Sequence, residues 1–324
     1  MVGPYGDWLR FPYEHTDNLY VVPEIDCCRV ITDHSVEILQ RVPPATAQLL
    51  RIGSIEPSAM LLDASDAFES GSPSSDEAAR AINRTGLLLD AIETCIDAAV
   101  RELDIPMQKR LLRAASYGMH FAYKDPSDRK IMGGNSAMHG EGDFDNLMDI
   151  QPSATAIKFV AVAKKIRVMN ALRDPNVGFA LTSSQFDSIS ANGVISRLIA
   201  MQQADIASAI CSYLDLDSSV QSFARASKAV AYISSCQEQT DTIEAETAIK
   251  ILNEDIDSVE TSSVTSNNLN HGAFALVALA AHKAGKLSVA NLLLRHEKST
   301  RDKVLALIKI GSFAEAAAVA VSAR

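Results

Sequence analysis

Aromatic residues and cysteines are both scarce in this chain of 324 residues. Phe, Trp and Tyr make up 6% of it, whereas Ala, Leu and Ile recur throughout, a composition typical of helices packed on helices. The five cysteines are widely scattered and none belongs to a CxxC pair. An odd, scattered set argues against a disulfide framework or a cysteine-bound zinc and suits the reducing cytosol.

Long apolar runs are also absent. None approaches the ~20 residues that a membrane-spanning helix needs, and the longest, Phe274 to Ala281, is a short buried helical segment. The segment Met1 to Arg10 contains Asp7 and Trp8 and has no apolar signal core. We therefore expect neither a transmembrane segment nor a secretion signal.

The charge of the chain is unevenly distributed. The net charge of −10 argues against nucleic-acid binding, yet His271 to Arg324 holds eight Lys and Arg against three Asp and Glu. This basic segment is either an ordinary solvated surface or a face for an acidic partner or an anionic membrane. We expect Val304, Leu305, Leu307 and Ile308 to pack inward and leave the basic side chains exposed. The candidate partner-binding residues are Lys298, Arg301, Lys303 and Lys309.

Few residues are candidates for a catalytic, phosphate-binding or metal-binding site. His139, Glu141 and Asp143 alternate in a glycine-rich stretch and leave open a metal-dependent enzyme centred on His139. Gly133-Gly134-Asn135-Ser136 lacks both the following Lys-Ser/Thr and the preceding strand of a phosphate-binding loop. The seven histidines show no HExxH spacing. We therefore predict no catalytic residue, no cofactor and no metal ligand, and a non-enzymatic protein.

The organisation changes along the chain at Pro43-Pro44. Before it, Trp8 to Phe11, Leu19 to Val22, Cys28 to Thr32 and Val36 to Leu39 are short β-prone runs between Pro, Asp, Asn and Ser. After it the pattern is helical, apart from a glycine-rich stretch. The predicted divisions are a β segment at 1–42, the first helices of an α-solenoid at 43–123, a flexible loop at 124–153, and further α-solenoid at 154–324.

Two helical stretches carry the strongest periodicity. Between Asp76 and Leu103, one apolar column starts at Leu87 and ends at Leu103, and a second, beside it, starts at Leu88. Ile105 to Ala122 predicts the next helix, whose small residues would let a neighbouring helix approach closely. A later helix is expected to end near Asp174-Pro175 and the next to begin behind Thr182 or Ser183.

A weak internal echo recurs in the part of the chain that follows Thr182. Gly285 precedes Ala290 by five residues, Gly311 precedes Ala316 by five, and Gln202 precedes Ala207 by five. A turn residue followed by a small residue where two helices touch is typical of an α-solenoid. The predicted fold class is therefore mainly α: antiparallel helix pairs preceded by a short β segment.

Two segments also resemble a known family. LLRAASYG at Leu111 to Gly118 and VMNALRDPNVGFALTSSQF at Val168 to Phe186 are similar to the middle of the vacuolar protein sorting-associated protein 16 family. Weaker similar blocks begin at Gly3, Val21, Ile55 and Ala290, in the family's order. The resemblance assigns structural family-motif roles to Leu111, Leu112, Arg113, Ala114, Ala115, Ser116, Gly118, Asn170, Arg173 and Asp174.

The resemblance implies a scaffold subunit of the HOPS or CORVET tethering complexes in intracellular transport and vesicle fusion. Its partners would be other class C subunits and the SM-type vacuolar protein sorting-associated protein 33, with SNAREs and Rab-type GTPases engaged indirectly. The expected location is the cytoplasm, peripherally at late endosome, lysosome or vacuole membranes. Another propeller–solenoid scaffold, of a vesicle coat or of intraflagellar transport, is the alternative.

The chain also departs from the family pattern. Most of the family's β-propeller would lie before Met1, so that residues 1–42 resemble only its end, as in a fragment or an incomplete gene model. The 124–153 loop replaces a more apolar connection. The chain stops near the start of the region that docks the SM-type partner, and we therefore expect it to bind that partner weakly or not at all.

Overall fold

The computed structural model describes residues 10, 12–13, 18–73, 75–122, 154–236, 240–253 and 272–323. Within these ranges the chain forms three strands followed by fourteen helices. The predicted mainly α fold class is therefore confirmed. Most of the first predicted strand and the whole 124–153 loop, with His139, Glu141 and Asp143, lie outside the described residues.

The strands form one antiparallel sheet in the order β1 (Tyr20–Pro23), β2 (Cys27–Ile31) and β3 (Val36–Gln40). Tyr20 pairs with Ile31 across the first ladder, and Cys27 pairs with Gln40 across the second. Each strand lies within one residue of its predicted run. All four residues of β1 are exposed, whereas those of β2 are half-buried.

The helices of the first part are α1 (Pro44–Leu50), α2 (Pro57–Glu69), α3 (Ser75–Arg84), α4 (Leu88–Arg101) and α5 (Ile105–Ala122). Helix α2 packs on α1, α3, α4 and α5, and α4 also packs on α5. Their apolar faces make the core of a compact unit, which spans Met1–Met169 and Leu181–Gln185. The rest of the chain, Asn170–Ala180 and Phe186–Arg324, makes a second unit.

The stretch between Asp76 and Leu103 forms two helices, α3 and α4. The expected apolar column from Leu87 to Leu103 is therefore not contained in one helix. Gly86 adopts a φ of 75°, which L-residues rarely adopt, and the turn there ends α3 before α4 begins. Leu87 therefore precedes α4 and is 43% exposed, and Leu103 follows the extended C-cap Glu102 and is 36% exposed. Leu88 belongs to the helix and is 2% exposed, so the second column begins as predicted.

Helix α5 spans the predicted residues and packs as closely as predicted. A Cβ placed on Gly118 would lie 2.8 Å from Ile92 Cγ1 and 2.9 Å from Leu61 Cδ2. Both are side chains of the neighbouring helices α4 and α2. The missing side chain of Gly118 is thus what allows three helices to meet here.

The remaining helices continue in pairs. They are α6 (Ala154–Leu172), α7 (Ser183–Ala200), α8 (Ala204–Tyr213), α9 (Ser218–Ser235), α10 (Asp241–Asn253), α11 (Ala273–Lys283), α12 (Leu287–His296), α13 (Thr300–Ile310) and α14 (Phe313–Ser322). Helix α7 is kinked at Ser190, where φ is 66°. From α8 onward most described helices pack on the next helix or the next but one: α9 on α8, α10 and α11, α12 on α10 and α11, and α13 on α11 and α14. This is the neighbour-to-neighbour packing of an α-solenoid.

The three residues predicted to form turns share one backbone conformation. Gly285, Gly311 and Gln202 all have a positive φ, of 81°, 90° and 63°. After Gly285, Lys286 N donates to Ala281 O at 2.9 Å and Gly285 N donates to His282 O at 2.9 Å, the pair of bonds of a Schellman motif. The small residues five positions later are buried, at 0% exposure for Ala290 and Ala207 and 4% for Ala316.

Candidate interaction surfaces

The described residues contain no group of three or more His, Cys, Asp or Glu placed to hold a metal ion. Among the helices that the structure describes, none is both long and apolar enough to cross a bilayer.

The LLRAASYG motif has a buried face and an exposed face on α5. Leu111, Ala114, Ala115 and Gly118 are buried in the first unit. The guanidinium of Arg113 is half-exposed and contacts the carboxylate of Glu69 on α2. Leu112 is half-buried and Ser116 is exposed. The motif thus builds the core with one face and leaves Arg113 and Ser116 on the surface.

The second motif forms the connection between α6 and α7. Arg173 Nη1 donates to Asn170 Oδ1 at 3.1 Å in the last turn of α6. Asp174 Oδ1 then accepts from the backbone N and the side-chain Nδ2 of Asn176, both at 2.9 Å, which folds the chain into a tight turn. Asn170, Arg173 and Asp174 therefore end a helix and shape a turn.

The predicted start of α7 is a reciprocal cap. Gln185 N donates to Thr182 Oγ1 at 3.2 Å, and Thr182 N donates to Gln185 Oε1 at 3.1 Å. This is a capping box, and it places the first helical residue at Ser183. Of the two caps considered from the sequence, the structure selects Thr182.

The same two residues bind side chains of the turn between β1 and β2. Thr182 Oγ1 donates to Asp26 Oδ2 at 2.7 Å, and Gln185 Nε2 donates to Glu24 Oε2 at 2.5 Å. Arg29 Nε lies 2.7 Å from Glu24 Oε1. This cluster cannot be predicted from a local pattern, because Glu24 and Gln185 are 161 residues apart in the sequence. Only the capping box itself is visible in the sequence.

Electrostatics in this cluster are set by the Arg29 contact and by burial. The hydrogen bond from Arg29 lowers the pKa of Glu24 to about 2. Burial, followed by the neighbouring Glu24 carboxylate, raises the pKa of the Cys27 thiol to about 12. Glu24 is therefore held ionised and Cys27 is held as the thiol, which makes Cys27 a poor nucleophile at neutral pH.

The basic segment separates into exposed and half-buried cations. Lys298, Arg301 and Lys309 are exposed in the turn before α13 and on α13, whereas Lys303 is half-buried on the opposite side of that helix. Lys303 therefore does not share a surface with the other three. The cap of α13 is Ser299, whose Oγ accepts from Asp302 N at 3.3 Å.

The expected inward face of α13 was wrong in two of its four positions. Leu307 is buried and Val304 packs against the core, but Leu305 and Ile308 are 47% and 45% exposed. The reason is that α11 and α14 contact the side of α13 that carries Ala306 and Leu307. Arg301, Leu305 and Ile308 follow at i, i+4 and i+7, so cations and apolar side chains lie together on the outer face.

Comparison with known proteins gives one family model and several relatives. The model of the Vps16 N-terminal region matches residues 1–132. A Vps16 homolog of Dictyostelium discoideum is 31% identical over 307 residues, which are 94% of this chain and 31% of that protein.

Two further relatives match shorter parts of the chain. Protein VACUOLELESS1 of Arabidopsis thaliana is 34% identical over 220 residues, 68% of this chain and 22% of its own length. Vacuolar protein sorting-associated protein 16 of Saccharomyces cerevisiae is 32% identical over 200 residues, 61% of this chain and 21% of its own length. The chain thus spans less than a third of the length of these relatives.

Proposed function

Because the chain belongs to the Vps16 family, we propose that it acts as a scaffold subunit, without catalysis of its own, in a tethering complex of the endolysosomal or vacuolar system. The observation that carries the proposal is the match to a Vps16 homolog over 94% of the chain. The names of two relatives refer to vacuolar protein sorting. Protein transport to the vacuole or lysosome is therefore the process in which the chain would act.

The architecture supports a binding role over chemistry. A stack of helix pairs presents long rows of exposed side chains, and such surfaces bind partners along their length. The residues of the LLRAASYG motif pack in the core or lie on the surface, and those from Arg173 to Asn176 form a turn. Their described contacts are ones that hold the fold together. On the outer face of α13, exposed cations and apolar side chains lie together, a combination that suits a protein-binding surface.

The outer face of α13 is the surface that we assign to a partner. We name Arg301, Leu305, Ile308 and Lys309 the α13 surface, with Lys298 at its edge. The two apolar side chains would be buried by a partner and provide affinity, while the cations would guide association with an acidic surface. Other subunits of the tethering complex are the proposed partners, at late endosome, lysosome or vacuole membranes, whereas the SM-type subunit that acts on SNAREs should bind this chain weakly or not at all.

A segment replacement tests this function. The matching segment of the Saccharomyces cerevisiae relative is exchanged for this chain, and delivery of a vacuolar hydrolase and recovery of the other tethering subunits are measured. We expect both to be retained well above the level of a deletion strain. A matched pair of chimeras, with Leu89→Asp at a 53% exposed position and Leu88→Asp at a buried one, separates surface damage from misfolding. A stable chimera that recovers no tethering subunit would contradict the proposal.

A further inference from the structure

Two clefts flank α5 in the first unit and meet at shared residues. The first has a volume of about 820 Å³ and lies among α2, α3 and α5. The second, of about 700 Å³, lies along the other flank of α5 and is also lined by Phe159 of α6. Arg113 and Ser116 line both. We name this continuous surface the α5 groove; its two parts each have the size of a ligand-binding cleft.

One wall of the groove is aromatic. The ring centroid of Phe68 lies 5.2 Å from that of Tyr117, which lies 5.0 Å from that of Phe121. Phe121 is 9% exposed, but Phe68 is 58% exposed and faces the first cleft. An apolar side chain of a ligand placed against Phe68 and Tyr117 would remove this apolar area from water, which favours binding.

The charge of the groove is opposite to that of the chain. Four cations line the two clefts, namely Arg80, Arg84, Arg113 and Lys109, against the two carboxylates Glu69 and Asp76, while the whole chain carries −10. Arg80 Nη2 lies 3.9 Å from Asp76 Oδ2, a loose contact, and Arg113 contacts Glu69. Arg80 and Arg113 keep 63% and 54% of their side chains exposed. Because a guanidinium has five N–H donors, each retains donors for a ligand.

The distribution of these cations selects the kind of ligand. Arg80 and Arg84 stand one turn apart on α3, and Arg113 and Lys109 one turn apart on α5. Cations in two rows, partly balanced by carboxylates, suit a ligand whose negative charges are spread along a chain. A compact phosphate group would need cations that converge on one point. The aromatic wall in addition favours a ligand with a large apolar side chain.

We propose that the α5 groove binds an acidic peptide segment of a partner protein. A phenylalanine or leucine of the peptide packs against Phe68 and Tyr117, and flanking carboxylates accept hydrogen bonds from Arg80, Arg84 and Arg113. Peptide binding would give a role to Arg113 and Ser116, the exposed residues of the LLRAASYG motif, which do not contribute to the core. The groove belongs to the first unit and the α13 surface to the second, and no residue is common to both, so that the two can be altered independently.

Fluorescence anisotropy with the full chain tests the proposal. The probe is a fluorescein-labelled decapeptide of Asp and Glu with one central Phe, titrated at low salt with protein up to ~1 mM. We expect saturable binding that weakens as NaCl rises from ~50 to ~300 mM. Phe68→Ser should raise Kd about fivefold, since it removes the aromatic wall at an exposed position. Replacing the peptide Phe by Ser should have a similar effect.

Charge variants locate the site. Arg80→Glu with Arg84→Glu and Arg113→Glu should raise Kd at least about twentyfold. Arg80→Gln with Arg84→Gln leaves the Arg113–Glu69 contact in place and should raise it about fivefold. The matched control reverses three exposed cations of the second unit that lie outside the α13 surface, Arg197, Lys283 and Arg295, and should stay within about twofold. Circular dichroism and thermal unfolding confirm that each variant is folded.

Three outcomes would overturn the proposal. The first is no saturable binding up to ~1 mM. The second is an equal loss of affinity in the control and groove variants, which would show non-specific attraction. The third is that vesicles containing anionic lipid bind through the groove arginines while the peptide does not, which would make the groove a membrane contact.

Discussion

The ammonium of Lys286 lies 2.8 Å from Oε2 of Glu244, and it joins three helices of the second unit. Lys286 Nζ also donates to Ile233 O at 3.0 Å and to Cys236 O at 2.6 Å, two carbonyls at the end of α9. Glu244 belongs to α10 and its side chain is 2% exposed, while Lys286 immediately precedes α12. One cation therefore caps a helix and neutralises a buried carboxylate.

Lys286→Met should destabilise the second unit by about 3 kcal/mol, because it leaves Glu244 buried without a counter-charge and the α9 carbonyls without a donor. Urea unfolding followed by circular dichroism measures the change. The double variant Lys286→Met with Glu244→Met should recover part of the loss, since it removes the buried carboxylate as well. Equal stability of Lys286→Met and the unmodified chain would show that the contact contributes nothing.

Leu88→Asp should destabilise the first unit by about 4 kcal/mol, because it places an unpaired carboxylate in the core among α2, α4 and α5. Leu88 is 2% exposed, and its neighbour Leu89 is 53% exposed. Leu89→Asp is thus a control of the same chemistry one residue away, with an expected change below about 0.5 kcal/mol. Thermal unfolding of both variants checks the pair, and similar losses would contradict the assigned face of α4.

Gly118→Ala should destabilise the chain by about 2 kcal/mol although Ala is the better helix former. The added Cβ would lie 2.8 Å from Ile92 Cγ1, so the packed helices would have to separate. Ser116→Ala, at an exposed position on the same helix, should be within about 0.5 kcal/mol of the unmodified chain. A stabilising effect of Gly118→Ala would mean that α4 and α5 shift easily.

Glu24 should make stability fall in acid. Its pKa is lowered from 4.5 to about 2 in the fold, so the unfolded chain binds the proton more tightly. The stabilisation is complete above pH 4.5 and is lost as the pH falls toward 2. With allowance for its partial exposure, the contribution is on the order of 2 kcal/mol. Acid unfolding of the unmodified chain and of Glu24→Gln, compared at the same pH values, measures the contribution of Glu24 to stability. Identical dependences of stability on pH for the two proteins would contradict this contribution.

Local patterns predicted the helices well, and distant contacts could not be predicted. Ile105 to Ala122 was placed to the residue because its periodicity is local. The apolar spacing places Leu87 and Leu103 in one column with the residues of α4, but the turn at Gly86 lies before Leu88 and the extended Glu102 ends the helix before Leu103. Leu305 was expected to pack inward, but it is exposed, because the positions of α11 and α14 determine which side of α13 is buried. No local pattern pairs Glu24 with Gln185, and the α5 groove likewise needs α2, α3 and α5 together.

The α13 surface leads to the last prediction, which rests on the proposed partner binding. Arg301→Glu with Lys309→Glu should slow association with purified tethering-complex subunits about tenfold at low salt, and the difference should shrink as salt screens the charges. Leu305→Ser with Ile308→Ser should instead speed dissociation about tenfold, because these half-exposed side chains would be buried by the partner. Surface plasmon resonance separates the two rates.

Lys303→Glu is the control, because Lys303 lies on the half-buried side of α13 and its replacement should change stability more than association. Equal rates for all variants would exclude α13 as the binding surface, whereas a loss confined to Lys303→Glu would place the partner on the opposite side of the helix.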